Sequence, residues 1–153
     1  MKAQAAYSDF IVAIIIVAFM TTAFIYTLSN DNKGTSDDLL QTAAHVSEIV
    51  LNKGVPSVWN TSTVKRPGVT DGKWRVNENN IAELYKLDRT KLRALLDTED
   101  NVYIRTFNGS ALMNFSGKNF TGRAPSNQRT LTSISRFAIL NGTIIEIQIG
   151  VWR

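Results

Sequence analysis

Phe10 to Leu28 is a run of nineteen residues without a charged side chain. At about 1.5 Å per residue, an α-helix over this run is roughly 28 Å long, close to the hydrocarbon thickness of a bilayer. A helix that is apolar on every side has to be covered, by lipid or by other helices. The run also divides the chain of 153 residues, leaving roughly 120 residues for one outer domain of common size. No second apolar run of spanning length follows, so the chain reads as a single-pass protein. Lys2 and the terminal amine favour a cytoplasmic N-terminus, with the domain outside the cell.

What precedes the run is unusual. An ordinary secretory signal carries its cleavage site after the apolar core. Here Lys2 is the only side-chain cation before it, and Ala3-Gln4 follows directly, which places a plausible cut ahead of the hydrophobic stretch. This arrangement resembles the class III (prepilin-type) signal of archaeal type IV pilins and related surface-filament subunits. Lys2-Ala3 followed by Gln4 matches the basic-small-polar leader site, and Phe10 to Leu28 matches the retained hydrophobic helix. Where many pilins carry Glu five residues into the mature chain, this one has Ser8, with Asp9 next. Major and minor subunit roles therefore both stay open.

The resemblance implies removal of a leader over 1–3 between Ala3 and Gln4, and a transmembrane and filament-core helix over 4–30. It implies an extracellular domain over 31–153, with an amphipathic helix over 36–53 and a β-rich head over 54–153. The implied fold is α+β and pilin-like: a long N-terminal helix, transmembrane then amphipathic, packed on a C-terminal antiparallel β-sheet. The implied partners are other pilin subunits, a prepilin peptidase and membrane lipid. The implied function is a structural subunit of a surface filament, held in the cell membrane before assembly. Two alternatives remain open: a minor pilin that binds DNA or another polyanion, and a single-pass anchored surface protein that does not polymerise.

Other features bear on the outer domain. Cysteine is absent, so no disulfide staples it and its stability rests on packing and sheet hydrogen bonds. From Gly54 onward, fourteen Lys and Arg stand against eight Asp and Glu. The surplus suits a polyanion partner, yet the basic residues are scattered, which favours a solvated exterior. Nucleic acid is thus a partner the charge allows without favouring it. Five Asn-x-Ser/Thr triplets, at Asn60, Asn108, Asn114, Asn119 and Asn141, are candidate N-glycosylation acceptors. Sugars there would shield a surface domain.

Along the chain, Ser29 to Thr35 reads as a polar break in the helix, with Ser36-Asp37-Asp38 as a restart. Leu39, Ala43, Val46 and Val50 recur at helical spacing, backed by Leu40, Ser47 and Leu51, and Gly54 and Pro56 end the pattern. Trp59 and Trp74 read as packing anchors at either side of a loop. Lys73 to Val76 suggests a short strand, Ile81 to Tyr85 a helical turn, and Asp88 a cap over Arg89 to Leu96. Asn108-Gly109 predicts a hairpin pairing Phe107 with Ser110, Ile104 with Met113 and Val102 with Phe115. That register puts Val102, Ile104, Met113 and Phe115 in the core and Tyr103 with Asn114 on the outer face. Asn141-Gly142 predicts a second hairpin pairing Ala138 with Ile145, Arg136 with Ile147 and Ile134 with Ile149. The stretch from Lys118 to Gln128 reads as a loop.

Enzymatic chemistry has little to build on. His45 is the only histidine, and neither a Walker A nor a Rossmann glycine pattern occurs. Asp31, Asp37 and Asp38 do not follow the spacing of a calcium loop. The expectation is a protein without catalytic residues, metal or cofactor.

Overall fold

The computed structural model describes residues 14–26, 36–126 and 130–153. In chain order the elements are α1 (Lys2–Leu51), α2 (Glu78–Lys86), α3 (Arg89–Leu95), β1 (Asn101–Asn108), β2 (Ala111–Leu112), β3 (Thr121–Gly122), β4 (Leu131–Leu140) and β5 (Thr143–Trp152). The chain divides into two units, Met1–Thr35 and Ser36–Arg153. The described stretches of α1 are 14–26, in the first unit, and 36–51, in the second. The expected break over Ser29 to Thr35 falls between them, outside the described residues.

This corrects the expected architecture. Among the described residues the helices are short stretches: 14–26, 36–51, Glu78–Lys86 and Arg89–Leu95. None is long and apolar enough to cross a membrane. The pilin-like plan of one long transmembrane-plus-amphipathic helix laid on a sheet is therefore set aside. In the second unit the sheet is instead covered by three short helical pieces.

The sheet is antiparallel and five-stranded, in the order β2-β1-β5-β4, with β3 also paired to β1. The β4–β5 hairpin forms as its turn chemistry predicts. Asn141 and Gly142 take φ of 50° and 82°, the left-handed pair that a two-residue turn between twisted strands needs. Leu140 faces Thr143, Ala138 faces Ile145, and Ile134 faces Ile149. The period of two then places Ile145, Ile147, Ile149 and Val151 on one face, where all are buried.

The first hairpin differs. Its turn is Gly109-Ser110 rather than Asn108-Gly109, because Asn108 pairs with Ala111 and Phe107 with Leu112. The return strand ends after two residues, and β3 takes over alongside Tyr103 and Ile104. The predicted loop from Lys118 therefore contains a strand. Its Gly122 stands at φ 86°, where a Cβ would come within 2.1 Å of the Val102 carbonyl oxygen. Val102, Ile104 and Phe115 reach the core as expected, but Tyr103 is also buried. It pairs with Gly150, and the vacant side of that glycine admits its ring.

Over 36–51, Leu39, Ala43, Val46 and Val50 are fully buried, while Leu40 points to solvent. Ser36, the expected restart, is the first described residue of this stretch. The helix ends at Leu51, and its last carbonyls are taken by the segment at Val69 and Thr70. Val69 N–H donates to Val50 O at 2.8 Å, and Thr70 Oγ1 donates to Leu51 O at 2.6 Å. Such partners satisfy groups that a helix end leaves open. Asn77 caps α2 by accepting from the Asn79 and Asn80 amides, and Asp88 caps α3 by accepting from the Lys91 amide. Ile81, Leu84, Tyr85, Leu92 and Leu96 then close the core against the sheet.

Candidate functional site

The stretch 14–26 combines helical geometry with an apolar exterior. Ile14, Ile15, Ile16 and Val17 are consecutive and each at least half exposed. At 100° per residue these four cover every side of the helix. Phe19, Met20 and Phe24 are 76%, 67% and 65% exposed. The polar groups within the stretch turn back on the helix. Thr21 Oγ1 donates to Val17 O and Thr22 Oγ1 to Ala18 O, each at 2.8 Å. Apart from the Tyr26 hydroxyl at its end, with Tyr26 68% exposed, what remains outward is largely hydrocarbon, a surface that neighbouring apolar groups must cover. Ala3 and Gln4, the predicted leader site, lie outside the described residues.

All five predicted acceptor asparagines are exposed, but their side chains differ. Asn114 Nδ2 donates to Asn119 Oδ1 at 3.1 Å. Asn141 Nδ2 donates to Glu78 Oε2 at 3.1 Å. Asn60 Oδ1 accepts from the Ser62 and Thr63 amides, which orders its turn. Asn108 stands at the end of β1, beside the Gly109-Ser110 turn.

One open cleft of about 590 Å³ was not foreseen. It is lined by Asp38 and His45 from α1, Asp97, Glu99 and Asp100 from the turn after α3, and Arg153. No periodicity marks such a site, because its residues come from three separate segments. Arg153 Nε donates to Asp100 Oδ1 at 2.6 Å and Nη2 to Asp100 Oδ2 at 3.2 Å. That pairing holds the Arg153 guanidinium above its ordinary range. The acid that faces the guanidinium is thereby spent on an internal contact. Among the described residues no three acids or His side chains converge on a point that would hold a metal ion. Asp37 and Asp38 are exposed, and Asp31 lies outside the described residues.

Several basic side chains have local partners. The Arg105 guanidinium lies 5.0 Å from the Tyr103 ring, and that of Arg123 lies 5.0 Å from the Trp152 ring. Arg136 Nε donates to Ser47 Oγ at 3.3 Å. Of the two tryptophans expected as anchors, Trp59 is buried and donates Nε1–H to Gly68 O at 2.9 Å. Trp74 is not an anchor. It is 61% exposed with φ 64°, because its backbone carbonyl, rather than its ring, is what meets β4. The strand expected over Lys73 to Val76 is reduced to isolated bridges, Thr70 with Val76 and Arg75 with Ile139. Comparison with protein-family models, with curated proteins and with solved structures finds no match.

Proposed function

We propose that this chain is a structural subunit of a cell-surface filament, assembled through the apolar helix at its N-terminal end. The observation that carries this reading is the stretch 14–26, helical and hydrophobic on every side. Its cover, in this reading, is the same stretch from neighbouring copies. Water does not drive exchange between lipid and such a bundle, because both are apolar; close packing of side chains does. Ala18 and Ala23 supply the small positions that let helices approach. Exposed acceptor asparagines suit life outside the cell. The leader resemblance supplies the route: a three-residue trim before Gln4, then assembly.

The test is fractionation of the native protein followed by mass spectrometry of its N-terminus. A chain that begins at Gln4 and is recovered in sheared surface filaments supports the reading. An intact Met1, or a chain found only in soluble or membrane fractions, overturns it.

A further inference from the structure

A different surface, within the second unit, carries a second association. β4 is the end strand of the sheet, paired to β5 on one side only. In the hairpin, Leu140 and Thr143 close the two-residue turn, so even-numbered β4 residues turn their backbone groups to β5 and odd-numbered ones turn them away. Ile139 confirms the phase: its N–H donates to Trp74 O at 2.8 Å and its carbonyl accepts from Val76 N–H at 2.7 Å. Leu131, Ser133, Ser135 and Phe137 present the same edge. Among the described residues no backbone bond is made to these four on that edge. The strand has neither proline nor lysine to block addition of another strand.

The order of side chains suits a second copy of the same strand. We propose that β4 pairs antiparallel with β4 of another copy across a two-fold axis at Ile134. In that register Phe137 faces the other copy's Leu131, Ser135 faces Ser133, and both relations repeat by symmetry. All four outward residues then exchange two hydrogen bonds per pair. Phe137 and Leu131, 63% and 46% exposed, cover one another on the outer face. Ile134 meets its own copy on the inner face. The one charge on the strand, Arg136, falls opposite Thr132 rather than opposite itself, and its head is turned to Ser47. A shift of the axis to Ser135 leaves three outward pairs and places Phe137 against a serine. The contact closes on itself and needs nothing from residues 14–26, so it is separable from the filament reading.

The absence of cysteine makes the register testable in the full chain, purified in detergent and mildly oxidised. Ile134→Cys brings two sulfurs together across a non-hydrogen-bonded pair, where Cα atoms stand about 4.5 Å apart, within disulfide reach. Leu131→Cys/Phe137→Cys, on the solvent face, tests the same register without touching the inner packing. Both are expected to give roughly tenfold more disulfide dimer than Ser110→Cys at the remote turn, given the geometric selectivity of disulfides. Adding Ser135→Pro, which removes an outward N–H, is expected to abolish the excess while the circular dichroism stays folded. Should both cysteine variants cross-link no better than Ser110→Cys, or should the proline leave the yield unchanged, the paired edge is wrong.

Discussion

Tyr85 donates its phenolic hydroxyl to Thr106 Oγ1 at 3.0 Å, joining α2 to β1 through a pair of fully buried side chains. The Tyr85 ring also meets Phe115 at 5.1 Å between centroids, tilted by 58°. Helix, strand and the segment after β2 therefore converge on one side chain. Burial raises the Tyr85 phenol above its ordinary range, with the Thr106 hydrogen bond pulling the other way.

A prediction about pH follows from that burial. Above the ordinary tyrosine value of about 10 the unfolded chain releases this proton while the folded chain keeps it. Stability should fall as pH rises through that range. Tyr85→Phe should flatten this alkaline limb and cost about 1–2 kcal/mol at neutral pH, since Thr106 is left buried without its partner. Urea unfolding at pH 7 and pH 10.5 measures both.

Gly150 and Tyr103 are matched by shape. A Cβ on Gly150 would stand 2.0 Å from the Tyr103 ring, and the ring is itself buried. Gly150→Ala should destabilise by about 1–3 kcal/mol through overpacking. Tyr103→Ala in the same chain should remove most of that penalty, so a double-mutant cycle should show strong coupling. Additive losses would mean that the ring does not occupy that space.

Asn80 is fully buried and donates from Nδ2 to Ser57 O at 2.9 Å and Gly68 O at 3.3 Å, while Oδ1 accepts from the Trp59 amide at 3.4 Å. It ties the loop before α2 to the start of that helix. Asn80→Leu keeps the volume but strands these backbone groups, which costs about 1–3 kcal/mol. Hydrogen exchange should show the Trp59 amide losing protection before the β5 amides do.

Glycan mapping on protein purified from its native cells should separate the acceptor sites. Asn60 and Asn108 should carry sugar at higher occupancy than Asn114 and Asn141, whose amide nitrogens already donate within the chain. Equal occupancy at all four would show that these hydrogen bonds do not gate modification.

The parts legible in the sequence are those set by local chemistry. Asn141-Gly142 fixed a register because only one turn type accepts two left-handed residues in sequence. Asp88 announced a cap, and the spacing of Leu39 to Val50 announced a buried stripe. The first hairpin slipped by one residue because Asn108-Gly109 and Gly109-Ser110 both satisfy a two-residue turn. The choice between them was made by β3, which pairs with Tyr103 and Ile104 and carries little signal of its own. Trp74 misled because bulk alone does not say whether a side chain or its backbone meets the neighbour. The cleft around Asp100 and Arg153 joins residues 53 apart, beyond the reach of any local pattern. The apolar run is the strongest mark in the sequence, and it lies in the first unit, apart from the fold of the second.

The account turns on what covers residues 14–26. Phe19, 76% exposed, can be replaced by benzoylphenylalanine in cells that make the native protein, and the photo-cross-linked peptides identified by mass spectrometry. The account predicts cross-links to residues 14–26 of another copy. Cross-links to lipid alone, or to unrelated proteins without any to a second copy, would contradict it.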